Sequence, residues 1–146
     1  MSATQSMPQL FASGQALEQI DWLKDSSALL DDIPSLRQRM SEEGYLFLRE
    51  LLNRDDVLAA RGEVCNRLAS LGLLDPNAPL MDCVAAAGRS AAYMPEALVK
   101  DNTPLLRVLY DGPMINLFER LLGEPVKHYD FTWFRSVAPG RGTQPL

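Results

Sequence analysis

Val126-Lys127-His128-Tyr129-Asp130-Phe131-Thr132-Trp133-Phe134-Arg135-Ser136-Val137 is the stretch that decides the fold of this chain. Aromatic and β-branched residues dominate it. Pro125 precedes it and Pro139-Gly140-Arg141-Gly142 follows, so it reads as a strand over about 126–138. Successive side chains of a strand point to opposite faces. One face carries Val126, His128, Asp130, Thr132, Phe134 and Ser136. The other carries Lys127, Tyr129, Phe131, Trp133, Arg135 and Val137. A strand this long needs neighbours, because a two-stranded sheet alone is marginal in water. Only Tyr45-Leu46-Phe47-Leu48 offers a second strand of similar quality. The last strand would then present an unpaired aromatic edge, which folded proteins avoid. The expectation is a sheet completed elsewhere, either by chain beyond Leu146 or by another molecule.

Upstream of that strand the sequence is mostly helical. Asp32-Ile33-Pro34-Ser35 has an acidic cap followed by a proline in the first turn, and Gly44 supplies a C-terminal stop. Asn53-Arg54-Asp55-Asp56 opens a longer helix with Val57, Val64, Leu68 and Leu71 on one stripe, stopped by Gly72. A short helix is expected over Pro104 to Tyr110. Another starts at Asp111-Gly112-Pro113, presents Ile115, Phe118, Leu121 and Leu122, and closes at Gly123. Residues 73–103 contain three prolines and an alanine run and read as loop with short helical pieces, long enough to suggest a functional role. Leu17, Ile20, Trp22 and Leu23 suggest one more short helix. Residues 1–15 read as a flexible arm, and 16–146 as part of a single domain with helices to about 123.

Composition narrows the function. The chain has 146 residues, 47% apolar and 23% charged, which fits one ordinary globular domain of roughly 100–200 residues. Its net charge of −5 argues against nucleic acid as a partner. No apolar run approaches the ~20 residues that span a bilayer, and residues 1–15 lack the basic and apolar regions of a signal peptide. Two cysteines, Cys65 and Cys83, make no disulfide framework, so a cytoplasmic protein with reduced thiols is expected. Membranes are not expected partners.

Glu42-Glu43-Gly44-Tyr45-Leu46-Phe47-Leu48-Arg49, followed by Leu51-Leu52-Asn53-Arg54-Asp55, resembles the opening of the phytanoyl-CoA dioxygenase family. Leu122-Gly123-Glu124-Pro125-Val126 and Phe131-Thr132-Trp133-Phe134-Arg135 resemble that family's turn into its first long barrel strand. Thr143-Gln144-Pro145-Leu146 resembles the approach to its iron-binding motif. The resemblance covers about residues 33–146. It implies an α+β fold: an N-terminal helical half plus the first strands of a double-stranded β-helix (jelly-roll) barrel, incomplete in this chain. It implies Fe(II) and 2-oxoglutarate as cofactors of the full-length protein, and hydroxylation of a small-molecule substrate. The family's iron is held by two His and a carboxylate. The expected next residue after Leu146 is the first of those His, so the chain alone is expected to bind no cofactor and to be inactive.

His128-Tyr129-Asp130 spells H-x-D, but His128 is the only His, and a two-His site cannot be assembled from it. No catalytic or metal-binding residue is therefore assigned. A barrel interior that holds a polar substrate suits the face bearing His128, Asp130, Thr132, Phe134 and Ser136, which become candidate pocket-wall residues. Arg135, Lys100 and Arg89 are candidate contacts for a substrate anion, the last two from a region suited to a lid. The alternative is a non-catalytic helical interaction module whose last strand pairs with a partner or with itself.

Overall fold

A computed structural model describes residues 9–12, 14–17, 20–89, 95–129 and 131–134. Five helices organise them: α1 (Ile33–Glu43), α2 (Arg54–Ser70), α3 (Pro95–Val99), α4 (Thr103–Tyr110) and α5 (Gly112–Leu122). Their ends form for the reasons the sequence carries. Asp32 accepts from the Ser35 amide at 3.2 Å and the Ser35 hydroxyl at 2.6 Å. Asn53 accepts from the Asp55 and Asp56 amides, and Asp111 accepts from the Gly112 amide. These side chains satisfy donors that the first turn of a helix leaves free. Gly44 and Gly123 end α1 and α5 at φ 75° and 85°. At Gly123 a Cβ would also stand 3.3 Å from the Arg37 guanidinium, so glycine answers both a conformation and a close approach.

The core lies where α2 packs against α4 and α3. Ala60, Cys65 and Leu68 of α2 are buried, with Leu98 and Val99 of α3. This corrects the expected α2 stripe. Leu68 is in the core, but Val64 is only half-buried and Val57 and Leu71 are exposed. Small residues line the packed face, and apolar periodicity gives Ala and Cys too little weight. In α5 the buried residue is Leu117. Ile115 and Leu121 are half-buried, while Phe118 and Leu122 face outward.

Residues 73–89 fold back along α2. Leu74 bridges Ala85 in antiparallel fashion, and a single 3₁₀ turn spans Leu80–Asp82. Arg67 organises the next stretch. Its guanidinium donates to the carbonyls of Ala97, Lys100 and Asp101 at the end of α3, while its Nε holds Glu63 at 2.7 Å. Asn102 is fully buried and satisfied in both directions. It donates to the Leu98 carbonyl and accepts from the Leu105 amide, capping α4.

Strands are sparse among the described residues. A two-residue hairpin, β1 (Phe11–Ala12) with β2 (Gln15–Ala16), occupies part of the expected arm. Tyr45–Leu48 forms one parallel bridge, Phe47 to Asp25, in place of a buried strand. The Ser26 amide donates to the Phe47 carbonyl at 2.8 Å. Residues 20–24, expected to turn helical, run irregularly beside it, with Trp22 and Leu23 exposed. Residues 126–129 and 131–134 take part in no ladder among the described residues. A strand takes its hydrogen bonds from a neighbouring strand, and no strand is paired with 126–129 or 131–134 among the described residues.

Candidate functional site

The outward stripe of α5, Met114, Phe118 and Leu122, divides two apolar grooves. The larger, about 610 Å³, runs between α5 and α1 and is floored by Leu46, Leu48, Leu51 and Leu117. Arg37 stands at its edge, with Nε on the Leu121 carbonyl at 2.7 Å and Nη2 on the Arg120 carbonyl at 3.2 Å. This arginine is consumed in tying α1 to the end of α5. The smaller groove, about 290 Å³, lies on the other flank of α5. Leu109, Tyr110 and Ile115 form one wall, and Val126, Lys127 and His128 the other.

Tyr110 is the hinge of this second groove. Its ring stacks on His128 with centroids 3.8 Å apart and planes 18° from parallel. Its hydroxyl hydrogen-bonds the Thr132 hydroxyl. The last residue of α4 thus holds two same-face residues of the 126–134 segment. His128 Nδ1 lies 2.8 Å from the Tyr129 carbonyl. A carbonyl can only accept, so Nδ1 carries a proton in this arrangement.

Thr132 and Phe134 are half-buried, whereas Tyr129, Phe131 and Trp133 are 89%, 60% and 61% exposed. Phe131 and Trp133 meet edge to face, 6.3 Å apart. Of the candidate wall residues, His128 and Thr132 are brought together through Tyr110, and Phe134 is half-buried. Asp130 and Ser136 lie outside the described residues, as does Arg135. Lys100 sits exposed after α3, its carbonyl held by Arg67, and Arg89 is exposed beyond the Leu74–Ala85 bridge. Neither lines the groove beside Tyr110. Sequence reasoning missed Tyr110 itself. Its only signal is an aromatic residue at the end of a helix, directly before the cap Asp111.

The donor set does not fit an iron site. Among the described residues no group of three His, Cys, Asp or Glu side chains converges. The chain's single imidazole is stacked on a tyrosine, with one nitrogen on a backbone carbonyl. What the described residues offer chemically is an apolar wall with a hydroxyl pair, an imidazole and Lys127 at its rim. None of their helices is long and apolar enough to cross a membrane.

No protein-family model and no solved structure matches the chain. Among curated proteins, 1-deoxypentalenic acid 11-beta-hydroxylase from Streptomyces exfoliatus is 29% identical over 119 residues. The similarity covers 82% of this chain and 41% of that protein, so the chain spans well under half of the relative's length. At this level the chain is similar to a hydroxylase.

Proposed function

We propose that this chain is the N-terminal, mostly helical part of an Fe(II)/2-oxoglutarate-dependent hydroxylase resembling the phytanoyl-CoA dioxygenases. The similarity to a hydroxylase over 82% of the chain carries the reading. The sequence resemblance over residues 33–146 points the same way. In this reading the residues 126–138 are the first strand of a jelly-roll barrel whose other strands, and whose iron ligands, are not among these 146 residues. The chain's own contribution is one wall of the substrate pocket. Tyr110 orients His128 and Thr132 on that wall, and the flank of α5 lends it apolar side chains. Such a wall suits a largely apolar small molecule, with Lys127 at the rim able to meet a carboxylate. The curated relative is named for the hydroxylation of an acid.

The test is turnover. Protein translated from the whole reading frame should form succinate from 2-oxoglutarate when given Fe(II), O₂ and a panel of apolar carboxylic acids that includes 1-deoxypentalenic acid. The 146-residue chain should form none. Succinate from the short chain would overturn the placement of the iron ligands outside it. A reading frame that closes at Leu146 would overturn the enzyme reading itself.

The exposed Tyr129, Phe131 and Trp133 favour a second reading, an interaction module that pairs through this segment. It requires a defined oligomer or complex in light scattering, and a monodisperse monomer that binds nothing would refute it.

A further inference from the structure

Two apolar features of this chain stand open to solvent. The first is the groove between α1 and α5, where Met40, Phe118 and Leu122 are exposed, Leu122 at 68%. The second is the arm before α1. Leu10, Phe11 and Leu17 of its hairpin are exposed, and so are Trp22 and Leu23 beyond it, Trp22 at 65%. The arm is rooted beside the groove. The Lys24 amide donates to the Tyr45 hydroxyl at 3.0 Å, and its Nζ pairs with Glu43. The Ser26 amide donates to the carbonyl of Phe47, itself a groove residue. This anchorage fixes the root, and Trp22 and Leu23 leave it without lining their own groove. The charges of the two features are complementary. Among the described residues, Arg37 is the charged residue that lines the groove, and its two carbonyl partners leave its charge unmatched by any carboxylate. Asp21, next to Trp22, accepts the Trp22 amide and pairs with no cation among the described residues.

We propose that the α1–α5 groove of one chain receives the arm of a second copy, in a reciprocal two-fold exchange. Trp22 and Leu23 of one copy cover Met40, Phe118 and Leu122 of the other, and Asp21 meets Arg37 at the groove's edge. A two-fold interface uses the same surface on both partners. Here each arm is rooted at Phe47, beside its own groove, so one axis near the two roots lays both arms over both grooves at once. The reach is short. Asp25 bridges Phe47, and Trp22 lies three residues before it, about 10 Å of extended chain. The size is sufficient. The described residues of the arm and those lining the groove together fall within the roughly 20–30 a side of a standard interface. Tryptophan is also among the residues that most often anchor such a contact. The exchange involves α1, α5 and residues 10–23, and does not depend on the hydroxylase reading.

The experiment is light scattering on the purified 146-residue chain over a concentration series. The expected mass is that of two chains. Trp22→Ser and Leu122→Glu should each return the monomer with an unchanged circular dichroism spectrum, because both side chains are exposed in the single chain. Mixing these two variants brings together one intact arm and one intact groove, and should form a dimer that neither forms alone. Asp21→Lys should weaken dimerisation severalfold, and by less at high salt. Tyr129→Ser should leave the dimer intact. A monomer at every concentration would overturn the proposal. So would a dimer that survives Trp22→Ser or Leu122→Glu, or a mixture that stays monomeric. A dimer lost in Tyr129→Ser would overturn it too, by assigning the pairing to the exposed face of Tyr129, Phe131 and Trp133.

Discussion

Two parts of this molecule have similar apolar content and opposite fates. The α2–α4 region buries Cys65, Leu68 and Leu98 around a fully satisfied Asn102. Residues 126–129 and 131–134 expose Tyr129, Phe131 and Trp133, while Tyr110 holds His128 and Thr132. The difference lies in where each finds its hydrogen bonds. A helix closes its own ladder and needs only caps at its ends. A strand depends on chain that is distant in sequence.

Four measurements can break or sharpen that contrast. The largest effect is expected from Leu98→Ala. Removing a fully buried leucine at the α2–α3 contact should cost about 2–5 kcal/mol by urea unfolding. A loss as small as that of a surface change would mean that this region is not the core. Asn102→Ala comes next. It strands the Leu98 carbonyl and the Leu105 amide and should cost about 1–3 kcal/mol, read from the same unfolding curves.

Tyr110→Phe deletes one hydroxyl bond, worth about 0.5–1.5 kcal/mol at most. Amide exchange should speed up across 126–134 while the protection of α2 is unchanged. Equal loosening of both regions would show that they fold as one unit. The smallest effect belongs to the cap of α1. The Ser35 hydroxyl, with the Ser35 amide, lowers the Asp32 carboxyl below its ordinary value of 3.8. A depressed carboxyl stabilises the fold above its unfolded pKa, and that contribution is lost as pH falls through the folded value. Asp32→Asn keeps a good cap without the charge. The slope of stability against pH below about 4 should therefore be shallower in Asp32→Asn than in the parent, and identical slopes would remove Asp32 from the acid response.

Helix ends were the most legible feature of the sequence. Asp32, Asn53 and Asp111, with Gly44 and Gly123, act within a few residues of themselves, so local spelling suffices. Helix faces were less legible. Val57 and Leu122 are apolar but exposed, because the packed side of each helix is chosen by its neighbours. The region 73–103 was opaque because its organiser, Arg67, stands some thirty residues before the carbonyls it gathers. In the candidate site, the alternation that separates Thr132 and Phe134 from Phe131 and Trp133 could be read directly. The partner that gathers one face, Tyr110, could not.

Sequence alone determined the ends of α1, α2 and α5, the acidic charge and the presence of a single imidazole. These follow from composition or from interactions a few residues long. Tertiary structure alone decided that Tyr110 holds His128 and Thr132, and that Arg37 is tied to the end of α5. Each joins residues 18 or more positions apart, and packing of the helices selects such pairs where no local pattern announces them.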